Sequence, residues 1–213
     1  MPAGKRNRII QAIVAVFAVP VVLYCLAYQP WDLHRGARRA EIGRPMPGDT
    51  IISDPTFNAT RAITIRAEPA DVWPWIVQIG YLRGGFYSHD RLDNNRVPSA
   101  DEIIPEYQSV AVGDRIPLTA SGFVRVVSMA PDTSFCVVYP DSGEPFFTWV
   151  WGLYPEENGR TRLVVRLRWH QEQWLHRIMV RYFEIIMMKR HLKGIRDRAE
   201  EHRASDQLIS PEP

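Results

Sequence analysis

The chain has 213 residues, of which 46% are hydrophobic and 23% charged, a composition typical of a folded protein and not of a disordered one. Its formal net charge of +2 is too small to indicate nucleic-acid binding, and the folded part has no arginine-rich block interleaved with aromatic residues. The two cysteines, Cys25 and Cys136, form no CxxC pair, so thiolate zinc sites and redox dithiols have no support.

Residues 9–28 form an uncharged, almost wholly apolar run that follows a short basic tail, residues 1–8. About 20 residues at a rise of about 1.5 Å span about 30 Å, the thickness of a hydrocarbon core. Tyr24, Tyr28 and Trp31 lie at one end, where an interfacial aromatic belt is expected. The run therefore predicts an N-terminal transmembrane helix in a single-pass membrane protein. A cleaved signal peptide is the main alternative, although the run is long and lacks an A-x-A site.

The segment 29–56 is rich in Gly and Pro and is interpreted as a connector. Its arginines nearly balance the basic residues before residue 9, so the positive-inside rule leaves the side of the membrane open. Arg38, Arg39 and Arg44 fit either anionic headgroups or a solvated basic stalk. Residues 57–203 are predicted to form one domain, followed by a disordered tail, residues 204–213.

The domain begins with a strand-like pattern over residues 58–66 and a helix from Pro69 that stops near Gly80. Ser88 is a suitable N-cap for a second, short helix that runs toward Asn94.

Five apolar runs separated by turn residues then predict an antiparallel meander over residues 114–118, 122–129, 134–139, 146–154 and 161–169. In the last run, Arg162, Arg166 and Arg168 alternate with large apolar residues, which predicts one buried and one solvated face. A long amphipathic helix is predicted from about Trp174 to His202. The fold class is therefore α+β, with a curved antiparallel sheet wrapped around a long C-terminal helix.

This order, and the local sequence from Ala70 through Gly80 into Arg83–Asn94, resembles the SRPBCC superfamily. That superfamily includes START lipid-transfer, Bet v 1 and polyketide cyclase/dehydrase-like proteins, and the motif looks like that of a membrane-anchored bacterial subset. The resemblance covers roughly Ala59 to Glu200. It implies a helix-grip fold with a hydrophobic cavity, but it implies no particular reaction.

The large apolar residues of the domain are candidates for lining that cavity, and a filled core is the alternative for all of them. The candidates are Trp73, Ile76, Trp149, Trp151, Leu163, Val165, Leu167, Trp169, Ile178, Met179, Tyr182 and Ile186.

The densest polar cluster, residues 83–90, is a candidate for the polar mouth of the cavity, with Arg83, Tyr87 and His89 facing a ligand. Tyr87, His89 and Asp90 are also weak candidates for acid–base catalysis. In the structural alternative, Ser88 and Asp90 cap the short helix and Arg83 pairs with a carboxylate.

No metal or cofactor motif is recognisable: the spacing of His170, Glu172 and His176 is not that of a metal site, and neither a phosphate loop nor a nucleophile elbow is present. We therefore predict no metal and no cofactor. His34, His191 and His202 stand alone in polar surroundings and receive no role.

Three functions remain open at this stage. The first is a membrane-tethered domain that binds a lipid or another small hydrophobic ligand. The second is a cyclase/dehydrase-like enzyme, and the third is a structural or partner-binding domain with a filled core. The sequence does not establish a reaction, and it does not indicate an oligomeric state.

Overall fold

The computed structural model describes residues 33–140, 142–170, 172 and 174–209, and within the last helix it describes side chains only for residues 184–205. The predicted transmembrane segment, residues 9–28, lies outside the described residues. Among the residues that are described, no helix is long and apolar enough to cross a membrane.

Six antiparallel strands form one sheet in the order β1-β6-β5-β4-β3-β2. The strands are β1 (Phe57–Ile65), β2 (Arg115–Pro117), β3 (Phe123–Ala130), β4 (Ser134–Tyr139), β5 (Phe147–Glu156) and β6 (Arg160–Trp169). Strands β2 to β6 form a meander, and β1 pairs with β6 along its whole length. The meander predicted from the turn residues is therefore confirmed.

The α-helices are α1 (Arg39–Ile42), α2 (Pro69–Val77), α3 (Asp90–Asp93) and α4 (Trp174–Ile209), and a 3-10 helix spans Pro105–Tyr107. Helix α2 begins at a capping box between Glu68 and Asp71. Helix α4 packs on α2 and β1, and it continues through residues 204–209, part of the segment predicted as a disordered tail. The α+β helix-grip arrangement is confirmed for the described residues.

The main core lies between the inner face of the sheet and the helices α2 and α4. Alternate residues of β5 and β6, such as Trp151 and Leu163, face Ile76 of α2 and Ile195 of α4, and all four are almost completely buried. This alternation is the period-2 pattern of a strand with one apolar face.

The outer face of β6 is not solvated as predicted, because residues 36–56 cover it. A second apolar cluster forms there around Met46, Cys136 and Val164. Burial raises the pKa of the Cys136 thiol to about 12, so this cysteine stays protonated at neutral pH.

The arginines of that outer face are buried and satisfied by residues 36–56. Arg166, 3% exposed, donates to the Asp49 carboxylate at 2.7 Å and to the carbonyl oxygens of Glu41, Ile42 and Arg44. Arg162 pairs with Glu41 at 2.7 Å. Strand alternation identified which residues share this face, but it carries no information about a distant segment that packs on it.

Within the same segment, the arginines considered for headgroup contact have protein partners. Arg44 stacks on the Tyr154 ring at 4.1 Å, and Arg38 pairs with Glu156 at 2.7 Å while remaining largely exposed. From residue 33 onward, the predicted connector is therefore an ordered part of the domain.

Candidate functional site

A cavity of about 470 Å³ lies between the inner face of the sheet and α4. Strands β5 and β6 form one wall, residues 184–191 of α4 form another, and the loop around α3 closes a side. The described residues of its lining are Tyr81, Phe86, Ser88, Leu92, Asp93, Leu118, Thr119, Phe147, Trp149, Leu167, Trp169, Glu184, Met187, Met188 and His191. The apolar members predominate, as in sites for small molecules.

Five aromatic side chains give the cavity much of its surface. Trp149 stacks on Phe86 with ring centroids 6.3 Å apart, and Phe147 contacts Trp169 at 5.9 Å. Behind this wall, Trp149 packs on Trp151 at 4.2 Å. Because the rings pack against one another, their orientations are fixed before a ligand binds.

His191 is buried at the cavity and is held by two protein partners. The Trp151 indole N–H donates to His191 Nε2 at 2.9 Å, so the ring proton is on Nδ1, which donates to the Phe86 carbonyl oxygen at 2.7 Å. Burial lowers the pKa of His191 to about 4. The ring is therefore neutral at pH 7, and neither nitrogen is available as a base.

A buried ion pair joins the sheet to α4 beside the cavity. Arg61 of β1, 3% exposed, lies on the inner face of the sheet and donates to Glu184 of α4. Glu184 lines the cavity and is 9% exposed. Mutual compensation makes this charge pair tolerable in an apolar setting.

Three other polar groups of the lining have no hydrogen-bond partner among the described residues. They are the carboxylate of Asp93 and the indole N–H groups of Trp149 and Trp169, all with buried polar atoms. Burial and the neighbouring Asp90 carboxylate raise the pKa of Asp93. Unsatisfied buried polar atoms are uncommon in folded proteins, so these three groups are candidates for polar contacts with a ligand.

Three of the predicted cavity residues, Trp149, Leu167 and Trp169, line the cavity. Another five belong to the packed core instead: Trp73, Ile76, Trp151, Leu163 and Val165. Ile186 is 53% exposed on the outer side of α4, a correction to its predicted place, because a position two residues from Glu184 falls on a different helix face. The side chains of Ile178, Met179 and Tyr182 lie outside the described residues.

Arg83, Tyr87 and His89, predicted to face a ligand at the mouth, and the catalytic candidate Asp90 are absent from the described lining, although Phe86 and Ser88 of the same segment belong to it. Arg83 stacks on Tyr107 at 4.6 Å and donates to the Ile79 carbonyl oxygen at 3.1 Å, and it makes no ion pair with Asp93. Burial lowers its pKa.

Two of the three catalytic candidates, Tyr87 and Asp90, use their polar groups in local hydrogen bonds. The Tyr87 hydroxyl donates to the Trp75 carbonyl oxygen at 2.9 Å, and burial raises the pKa of Tyr87. Asp90 accepts a hydrogen bond from Ser99 Oγ at 2.5 Å, and His89 occupies the N-cap position of α3 without a side-chain cap. Ser88, predicted to be that cap, donates instead to the Met187 carbonyl oxygen at 3.0 Å, because α4 passes beside it.

Four of the lining residues that sequence reasoning missed, Glu184, Met187, Met188 and His191, are on α4. Glu184, Met188 and His191 recur at spacings of four and three, which places them on one helix face with the buried Ile195. This helical spacing could have predicted their shared face. However, a glutamate and a histidine are polar, and from the sequence they are usually assigned to the solvent-exposed side of a helix. Asp93 and Leu118 carried no signal, since both lie in loops or short elements.

The cavity is suited to binding rather than to a reaction through these groups. Ser88 Oγ donates to a backbone carbonyl, and both nitrogens of His191 are engaged, so neither is arranged as a nucleophile or base. Within the described part of the chain, no group of three His, Cys, Asp or Glu side chains could hold a metal ion.

Comparison with models of protein families and with curated protein sequences finds no match for this chain. Solved structures do resemble it. A protein from Thermobifida fusca has a TM-score of 0.47 at 14% identity, covering 68% of this chain and 93% of its own. The self-sacrificing resistance protein CalC from Micromonospora echinospora has a TM-score of 0.45 at 12% identity, covering 68% and 95%. The Aha1 dimer from Colwellia psychrerythraea has a TM-score of 0.42 at 17% identity, covering 68% and 97%. At these values the comparisons assign neither a family nor a ligand to this chain.

Proposed function

We propose that this protein binds a small hydrophobic molecule in the cavity between the sheet and α4. The observation that carries the proposal is the cavity itself, about 470 Å³ in volume and walled chiefly by aromatic and aliphatic side chains. Its volume lies in the range of about 300–1,000 Å³ that small-molecule sites occupy. An apolar space of this size forfeits dispersion contacts when empty, and a fitting apolar ligand restores them.

The ligand is expected to bring polar groups that complement the wall. The indole N–H groups of Trp149 and Trp169 need an acceptor, so an oxygen or nitrogen atom on the ligand would gain hydrogen bonds that the protein leaves unmade. These few fixed groups would orient a ligand whose binding energy comes from its apolar body.

The cyclase/dehydrase alternative receives no comparable support. It requires Tyr87, His89 and Asp90 to face the substrate, whereas the Tyr87 hydroxyl and the Asp90 carboxylate are used by Trp75 and Ser99. The volume of the cavity favours ligand binding over the filled-core alternative.

The binding domain is further proposed to be tethered to a membrane by residues 9–28. The support is the length and uncharged character of that run. The sequence from Ala70 to Asn94, together with the helix-grip arrangement, supports placing the chain in the membrane-anchored subset of the SRPBCC superfamily. A membrane would supply apolar molecules close to the cavity.

Organic extraction of the purified full-length protein, followed by mass spectrometry, tests the proposal. We expect a small apolar molecule in stoichiometric amount from the wild type and a loss of at least about tenfold from Leu118→Trp, because the indole fills the cavity. Val112→Trp places the same side chain at a 59% exposed position away from the cavity and should retain the molecule. Equal recovery from the two variants, or none from the wild type with no binder in a lipid panel, would contradict the proposal.

A further inference from the structure

Among the described residues, the fixed charges that line the cavity do not cancel. Arg61 and Glu184 compensate each other, and His191 is neutral, with both ring nitrogens bound to protein partners. Asp93 is the remaining charged side chain of the described lining, and none of the described cations forms an ion pair with it. The described cavity wall therefore carries one uncompensated carboxylate.

The surroundings of Asp93 make that carboxylate costly without a partner. Both of its oxygens are buried and make no hydrogen bond, and burial together with the Asp90 carboxylate raises its pKa. The nearby His89 and the backbone N–H groups of His89 and Asp93 partly oppose this rise in the pKa of Asp93. Neither N–H group makes a well-formed hydrogen bond to the carboxylate. A cation at this place would offset both desolvation and the repulsion from Asp90.

The aromatic wall suits the same type of ligand. Tyr81, Phe86, Phe147, Trp149 and Trp169 share the lining with Asp93. The faces of such rings attract cations, and this attraction grows when the site is desolvated. Trp149 is 9% exposed, and its unpartnered indole N–H requires an acceptor atom elsewhere on such a ligand, because an ammonium group has no lone pair.

We propose that the cavity selects hydrophobic molecules that carry a protonated amine, with the ammonium group bound by the Asp93 carboxylate and the apolar body enclosed by the aromatic wall. This inference rests on the proposed binding function and defines its ligand class. A neutral lipid would leave the Asp93 carboxylate unpaired, and a carboxylic acid would add a second negative charge beside it.

Three probes with the same naphthalene body test the inference: 1-naphthylmethylamine, 1-naphthalenemethanol and 1-naphthoate. Each is titrated calorimetrically into the full-length protein in lipid nanodiscs, with empty nanodiscs titrated to subtract partitioning into the bilayer. We expect the amine to bind at least about tenfold more tightly than the alcohol, and the naphthoate to bind most weakly. The alcohol can accept hydrogen bonds from the indole N–H groups, which raises its affinity. The expected difference in affinity between amine and alcohol is therefore a lower limit.

Asp93→Asn should reduce the affinity for the amine to about that for the alcohol and change the affinity for the alcohol by less than about twofold. Asp101→Asn, the same substitution at an exposed position outside the lining, should preserve the preference for the amine. Equal affinities of wild type for amine and alcohol, or an unchanged preference in Asp93→Asn, overturn the amine inference and leave the proposed binding function standing. If none of the three probes binds, the amine inference fails, and the extraction experiment decides the proposed binding function separately. The wild-type comparison decides the question even where a variant does not fold.

Discussion

Both ring nitrogens of His191 are bound to protein atoms inside the core, which makes this histidine a structural element of the cavity wall. It accepts from Trp151 and donates to the Phe86 carbonyl oxygen, so it ties β5, α4 and the loop after α2 together. Protonation of Nε2 would cost the bond from Trp151 and would place a charge in a fully buried position.

The stability of the protein should consequently depend on pH through His191. Its pKa is lowered to about 4 from an ordinary value of 6.5, so between these values the unfolded state binds more protons. The contribution is fully present above about pH 6.5 and declines as the pH falls toward 4, and the stability lost amounts to about 2 kcal/mol at pH 5. Urea denaturation of the full-length protein, followed by tryptophan fluorescence at pH 7.5 and 5.0, measures it.

His191→Gln should be less stable than the wild type at pH 7.5 and should lose less stability on going to pH 5.0. His89→Gln, which changes a histidine outside the cavity lining, should keep the pH dependence of the wild type. Identical losses in the wild type and in His191→Gln would show that another group is responsible.

At the scale of elements, α4 approaches the loop after α2 so closely that one residue of the helix must lack a side chain. A Cβ on Gly194 would come within 2.6 Å of the Tyr87 Cβ and would also overlap the Tyr87 carbonyl oxygen. This contact, with the Ser88–Met187 hydrogen bond, sets the distance between the helix and the loop that lines the cavity.

Gly194→Ala should therefore destabilise the protein, by about 1–3 kcal/mol from overpacking. In a solvated helix, the same substitution would stabilise by about 1 kcal/mol, so the sign of the change is diagnostic. Thermal unfolding of the full-length protein provides the measurement. Lys193→Ala, at the exposed neighbouring position, should change stability by less than about 0.5 kcal/mol, and a stabilising effect of Gly194→Ala would contradict the close approach.

For the whole molecule, the arrangement proposed is a ligand-binding domain attached to a bilayer through residues 9–28. Residues 36–56 pack on the outer face of the sheet, so the described domain begins a few residues after the end of the apolar run. The segment that could act as a flexible connector is short, so the domain should stay near the membrane surface.

Two lysines placed inside the apolar run should abolish membrane attachment. Each lysine near the middle of a transmembrane helix costs about 2.5–3.5 kcal/mol on insertion scales. We expect the wild type to remain in the membrane pellet after alkaline carbonate extraction, and the double variant Val16→Lys and Val19→Lys to appear in the supernatant. Gln29→Lys, just beyond the run, should behave like the wild type. Release of the wild type itself by carbonate would refute the anchor.

Local patterns in the sequence were enough to predict most of the fold. Turn residues separated the strands of the meander, period-2 alternation assigned the two faces of β6, and helical periodicity identified α4. These signals are readable because each depends on residues within a few positions of one another. They also placed Trp149, Leu167 and Trp169 on the inner face, where the cavity lies.

Only the tertiary structure decided where that inner face is filled and where it is open. Trp151 and Trp149 occupy adjacent positions on one side of the same strand and both pack in the core, yet of the two only Trp149 lines the cavity. The difference depends on which side chains of α4 lie opposite each tryptophan. Contacts such as that between Trp151 and His191, which are 40 residues apart, leave no local pattern in the sequence. The same reason applies to the arginines of β6. Their alternation showed a polar face, but this face is buried because their partners, more than 100 residues away in the sequence, pack on it.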